Sequence, residues 1–294
     1  MFESDPIHPQ LLPRGFAQAI EEPPETPVTA RPAATVMILR DATEGLEVLL
    51  LKRSRSVGFV PGAYVFPGGR VDPIDAAHVL LAQTHGLDRE AAEDRLAPVN
   101  SAEAEFPAPV FRSGDQVPAI AYFTAALREA FEETGILLAH GPDGSTPPHA
   151  NSRLIRDARA ALEDGSAELP GLLKQLGYRL DMAALAYVAH WVTPLVEPRR
   201  YDTRFFAAIV PPDSEVVVDS GEIVRSLWAR PEDALAAHRR GELPMIFPTV
   251  RTIEDIRTFT TATEVLEHYR SQPIPRWMPR LELRPEGVVS VVDN

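Results

Sequence analysis

ALREAFEETGIL, residues 126–137, reads as the end of an amphipathic helix. At about 100° per residue, Glu129, Glu132 and Glu133 fall within one sector of roughly 100°. Ile120, Phe123, Leu127 and Phe131 fall on the opposite side. Pro118 suits the start of such a helix and Gly135 its end. One face is therefore expected to pack into a core, and the other to present three carboxylates together. Like charges at i and i+4 weaken a helix by a few tenths of a kcal/mol, and a hard divalent cation with oxygen ligands offsets this. Arg128 stands beside the acids and can hold one carboxylate in a fixed orientation. Alone, an acidic stripe is more often a solvated face, so the neighbouring sequence matters.

Upstream lies FPGGRVD, residues 66–72. Together the two segments resemble the Nudix box. That box is a Gly, five residues, a Glu, seven residues, then Arg-Glu-apolar-x-Glu-Glu-x-Gly-apolar. Arg128, Glu129, Ala130, Phe131, Glu132, Glu133, Thr134, Gly135 and Ile136 match its second half in register. Gly69 matches the leading Gly. Asp75 stands where the box has Glu, and residues 76–127 stand where it has seven. The resemblance implies an α/β protein: a Nudix α/β/α sandwich with a mixed central β-sheet, here carrying a helical insertion. It implies a hydrolase of phosphoanhydrides, with Glu129, Glu132 and Glu133 holding Mg²⁺ or Mn²⁺ and Arg128, Glu132 and Glu133 acting in catalysis. Nudix enzymes differ in where the general base comes from. Glu222, ahead of a late strand, is the candidate here, with Glu197 and Asp202 behind it.

A second stretch, LLLKRSRSVGFVPGAYVFPGGRVD (49–72), is similar to the signature of coenzyme A diphosphatases. Leu49, Leu50, Arg53, Ser54, Val57, Gly62, Phe66, Pro67, Gly68, Gly69 and Asp72 match without gaps. Leu51, Gly58 and Val60 replace its Thr, Arg and His. HWVTPLVEPRRYDTRFFAAIVP (190–211), with the long insertion, resembles the mammalian Nudix 19-type subgroup, which hydrolyses coenzyme A and acyl-coenzyme A. The implied reaction yields 3′,5′-ADP and (acyl-)phosphopantetheine. The resemblance puts Arg53, Gly68 and Gly69 on the substrate. Arg199, Arg200 and Arg204 are candidates for a phosphate because a guanidinium binds phosphate at two points. Trp191, Phe205 and Phe206 are expected to pack in the core, and His190 to be structural, with no partner visible in the sequence. Two alternatives stay open: hydrolysis of another nucleotide such as ADP-ribose, NADH or a dinucleoside polyphosphate, and a non-catalytic ligand sensor. The four-Cys zinc site of Nudix NADH diphosphatases is excluded, because the chain has no Cys.

The 294 residues carry a net charge of −13. That field repels nucleic acid, so a small nucleotide is the expected partner. No secretory signal or membrane-length apolar run is visible, which suggests a cytoplasmic protein. Residues 1–32 read as a Pro-rich arm, 33–272 as the Nudix domain, and 273–294 as a C-terminal tail. The insertion, 76–117, is expected to form a helical cap beside the site or a contact in a homodimer, docking through Val79, Leu80, Leu81, Leu87 and Leu96. Strands are expected at 34–41, 46–54, 183–194, 200–211 and 223–229, and helices at 231–242 and about 252–271.

Overall fold

A computed structural model describes residues 2–7, 11–12, 16–56, 60–97, 111, 114–218 and 221–292. In chain order, β1 (Phe2–Glu3) and α1 (Phe16–Glu21) precede the hairpin of β2 (Arg31–Ala42) and β3 (Gly45–Arg53). Then come β4 (Tyr64–Val65), β5 (Gly68–Arg70), α2 (Pro73–Ala76), α3 (His78–Leu81), β6 (Thr84–His85) and α4 (Arg89–Arg95). The glutamate helix is α5 (Ala119–Thr134). It is followed by β7 (Ala139–His140), α6 (Arg153–Glu163), α7 (Leu169–Leu176), β8 (Arg179–Asp181), β9 (Ala186–Val192), β10 (Tyr201–Ile209) and β11 (Ile223–Ala229). α8 (Pro231–Arg239), α9 (Phe247–Ile256), α10 (Ala262–Arg270), β12 (Arg276–Trp277), β13 (Arg280–Arg284) and β14 (Gly287–Val292) complete the chain.

The central sheet runs β11-β3-β2-β10-β9-β12, with β4 on β3 and β5 on β2. β2 and β10 pair in parallel, while β2–β3, β3–β11 and β9–β10 are antiparallel. The sheet is thus mixed. TVMIL in β2 and VLLL in β3 read as unbroken apolar runs because helices cover both faces. Val36, Ile38, Leu49 and Leu51 join α5 in one core. Met37, Leu39, Val48 and Leu50 join Leu235, Ile253 and Leu266 of α8, α9 and α10 in the other. This is the α/β/α sandwich expected from the motifs. Ile120, Phe123, Leu127 and Phe131 are all buried, and burying such a side chain is worth roughly 1.5–3 kcal/mol.

Three features depart from the sequence reading. The single late helix is two, α9 and α10. Thr261 accepts the N–H of Glu264, and the Glu264 carboxylate accepts that of Thr261, a capping box that starts a new helix. Within the insertion, Leu80 and Leu96 are buried and Leu81 and Leu87 pack on the core, but Val79 is exposed. The two ends of the chain meet: β1 pairs with β14, and β14 with β13. Pro273 and Pro275 precede β12, and Pro279 and Pro285 fall between the late strands, so none of the four breaks a ladder. Val57, Gly58 and most of the loop after α4 lie outside the described residues.

Candidate active site

α5 ends at Gly135, whose φ of 76° closes the helix through an N–H···O bond to Phe131. With its apolar side sealed against β2, the helix turns Glu129 and Glu133 toward β5, and Glu132 toward Arg128. Arg128 lies at the centre. Its Nε and Nη2 donate to the Asp75 carboxylate at 2.9 and 3.0 Å. Nη1 donates to Glu129 at 2.8 Å and Glu132 at 2.9 Å, and Nη2 also reaches the Arg70 carbonyl at 2.9 Å. All five donors of the guanidinium are thereby used. Asp75 is fully buried. It sits in α2, which leads into the insertion, and its carboxylate also accepts the Asp72 N–H at 2.8 Å. Thr124 of α5 donates to the Asp75 carbonyl at 2.6 Å, clamping α2 to the glutamate helix.

The Gly68–Gly69 pair lets β5 approach this helix. Gly68 N–H donates to Glu133 at 3.0 Å. A Cβ on Gly69 would stand 2.6 Å from Glu129 Oε2, and one on Gly68 2.6 Å from the Ala34 carbonyl oxygen. The close approach buries the acids. Burial pushes Glu133 up to about 8, helped by the neighbouring charge of Glu129. Burial pushes Glu129 up to about 7 against the pull of Arg128, and raises Glu132 as well. Three carboxylates, Asp75, Glu129 and Glu132, share Arg128, with Glu133 beside them on the Gly68 N–H, and their ligand atoms are all oxygen. That is the chemistry of a site for a hard divalent cation.

A cavity of about 1400 Å³ opens beside these groups. Glu129, Glu133, Gly68, Gly69, Arg53 and Glu222 line its polar side. Arg53 Nη2 stands 3.5 Å from Glu222 Oε2, and the Glu222 carbonyl accepts the Ser54 N–H at 2.7 Å. Glu222 is exposed, and its charge reaches Glu133. Its apolar lining includes Trp191, Phe205, Met245 and Phe247, with Leu11 and Leu281 from the two chain ends.

The family model for the NUDT19 Nudix domain matches residues 23–256. The chain belongs to the NUDT19 Nudix family. The human protein named acyl-coenzyme A diphosphatase NUDT19 is 28% identical over 271 residues, covering 85% of this chain and 71% of that one. The Xenopus laevis protein of the same name is 25% identical over 271 residues, covering 84% and 70%. The crystal structure of a Nudix hydrolase from Alicyclobacillus acidocaldarius superposes with a TM-score of 0.65 at 26% identity. It covers 84% of this chain and 99% of its own.

Not every candidate lies in this Nudix cavity. Tyr201, Thr203 and Phe205 of β10 line it. Side chains alternate along a strand, so Asp202 and Arg204 point to the other face. There Asp202 accepts from His190 and Arg276, each at 2.8 Å, and from Arg204. The Arg204 guanidinium lies 5.1 Å from the centre of the Tyr122 ring. His190 and Arg204 are directly opposed across β9 and β10 and are in contact. His190 thus has partners that the linear sequence hides. Burial, then the charge of Arg204, presses it down to about 4, so it is neutral. Asp202 is held well below the usual carboxylate range despite its burial, by the His190 hydrogen bond and the arginines, so it is a poor proton acceptor. Arg200 is spent on carbonyls of Val28, Thr193 and Pro194. Arg199 lines the cavity, as does Glu197, which burial raises to about 7. Sequence reasoning missed the partnership of Asp75 with Arg128 and the chain ends as cavity wall. Only the six-residue step from Gly69 to Asp75 hinted at the first.

Proposed function

We propose that the chain hydrolyses the phosphoanhydride of coenzyme A or acyl-coenzyme A, giving 3′,5′-ADP and (acyl-)phosphopantetheine. The observation that carries this is one cavity with a carboxylate and arginine floor and a long apolar wall. A pyrophosphate between a nucleotide and an extended tail needs both. The names of the vertebrate relatives point to the same substrate.

Glu129, Glu132 and Glu133 would hold Mg²⁺ or Mn²⁺, which when bound neutralises charge on the pyrophosphate and acidifies water. Arg128 keeps two of these carboxylates in place and is itself anchored on Asp75. Arg53 and the Gly68–Gly69 backbone bind phosphate oxygens. Arg204, buried behind β10, supports that wall rather than touching substrate. Glu222, exposed on the cavity lining, takes the proton of the attacking water. The P–O bond to the leaving phosphate breaks as the new one forms, and one phosphomonoester leaves on each side. A cytoplasmic location and a homodimer belong to the same proposal, tested by cell fractionation and by mass in solution. Among the described residues no helix is long and apolar enough to cross a membrane.

The test is hydrolysis by purified protein with Mg²⁺ or Mn²⁺ of coenzyme A, acetyl-coenzyme A, ADP-ribose, NADH and diadenosine tetraphosphate, with Glu132→Gln as control. Release of 3′,5′-ADP from the coenzyme A substrates, absent in the variant, supports the reading. Preference for another nucleotide overturns the substrate, and inactivity on all five overturns the enzyme.

A further inference from the structure

A second group of metal-ligating side chains lies on a different sheet. β8 is the middle strand of β6-β8-β7. His85 pairs directly with Asp181, and His140 with Arg179. Residues 179 and 181 share a face of β8, and directly paired residues share a face across a ladder. His85, His140 and Asp181 are therefore neighbours on one surface. His140 Nε2 stands 2.8 Å from Asp181 Oδ2, and His85 Nε2 3.7 Å from Asp181 Oδ1. One ligand atom from each lies within 4.8 Å of the others.

The surroundings hold this arrangement in place. Asp181 is mostly buried, and its Oδ1 accepts the Ala183 N–H at 3.0 Å, which sets the carboxylate plane. Gly86, just after His85, has φ of 87°. A Cβ there would stand 2.7 Å from the Ala183 Cβ and 3.1 Å from Asp181 Oδ1. A glycine is what lets the chain turn while His85 stays over the carboxylate. Arg179, the nearby cation, is turned to the Thr84 carbonyl. Both imidazoles are partly exposed, so an ion and its water have access.

We propose that His85, His140 and Asp181 form a second metal site, selective for a first-row transition ion of the Zn²⁺ class. Two imidazoles and one carboxylate suit such ions, whereas Mg²⁺ and Ca²⁺ prefer oxygen alone. Ligand atoms on a tetrahedral Zn²⁺ stand about 3.3–3.6 Å apart for bonds near 2.0–2.2 Å. Small side-chain rotations reach that spacing, and water completes the shell. His85 comes from the insertion and the other two ligands from outside it. A bound ion would staple the insertion to the body of the domain.

The test uses the full chain, stripped with EDTA and returned to excess Mg²⁺, which occupies oxygen-only sites. Zn²⁺ is titrated by calorimetry, and Cu²⁺ serves as an electron paramagnetic resonance probe. The expected result is one Zn²⁺ per chain, a higher Tm with Zn²⁺, and Cu²⁺ hyperfine coupling to two imidazole nitrogens. His85→Gln and His140→Gln should each weaken Zn²⁺ binding at least about 10-fold and remove one coupled nitrogen, with Tm in EDTA near that of the wild type. Absence of nitrogen coupling in the wild type, or equal Zn²⁺ binding by wild type and variants, overturns the proposal. The wild-type resonance spectrum decides even where a variant fails to fold.

Discussion

Arg128 grips Asp75 at two points, Nε to Oδ1 at 2.9 Å and Nη2 to Oδ2 at 3.0 Å. The arginine belongs to the glutamate helix and the aspartate to α2, just before the insertion. The pair is buried on both sides. The same guanidinium orders Glu132 and Glu129, the latter on the cavity lining, so the segment that leads into the insertion is tied mechanically to the acids of the glutamate helix.

Removing one partner of a buried ion pair leaves an unmatched charge. Asp75→Ala is therefore expected to cost about 3–5 kcal/mol in denaturant unfolding, and to lower kcat because Glu129 and Glu132 lose their orientation. A loss under about 1 kcal/mol would mean that the pair does not hold α2 to the glutamate helix.

Burial raises Glu129 to about 7 and Glu133 to about 8, against ordinary values near 4.5. A raised carboxylate favours the folded state below its unfolded pKa, and that contribution is lost as pH rises through the folded value. The metal-free protein should lose Tm between about pH 5 and pH 8. Mg²⁺ or Mn²⁺ should reverse the loss, bind more tightly as pH rises, and release protons, read by calorimetry in two buffers of different ionisation enthalpy. Binding independent of pH across this range would contradict the buried acids.

His190 behaves in the opposite sense. Its pKa is pressed from 6.5 to about 4, so its contribution is complete above 6.5 and is lost as pH falls toward 4. Asp202 is depressed too, but its window lies below the ordinary carboxylate value of 3.8. His190→Gln should flatten the stability profile between pH 6.5 and 4. An unchanged slope would assign acid sensitivity elsewhere.

Glu222→Gln should lower kcat by about 10²-fold or more if Glu222 takes the proton, with Glu197→Gln within a few-fold of wild type. The reverse pattern, with the acid limb of the rate profile near pH 7 removed by Glu197→Gln, would move the base to Glu197, which burial raises to about 7.

Gly69→Ala would push a Cβ to 2.6 Å from Glu129 Oε2. The carboxylate must swing away from Arg128, so metal affinity should fall at least about 10-fold with the fold intact by circular dichroism. Retained affinity would show that β5 can retreat.

Much of this protein is legible along the chain because it depends on local spacing. Arg128, Glu129, Glu132 and Glu133 come from one helix, so 3.6-residue periodicity alone gathers them, and the apolar runs of β2 and β3 announce a sheet covered on both faces. Which strand face meets which partner is not local. Arg204 suits phosphate by residue type, yet the two-residue alternation of β10 sends it behind the sheet to Asp202 and His190. Asp75 finds Arg128 across the whole insertion. His85 joins His140 and Asp181 only when three short strands align. The Pro-rich start and the last strands share one small sheet because β1 and β14 pair across almost the full length of the chain. The sequence by itself determined the helix of acids, the class of fold and the kind of chemistry. Tertiary structure decided which charges are buried, which pairs form and what lines the cavity, because those depend on long-range strand pairing and solvent exclusion that no local window contains.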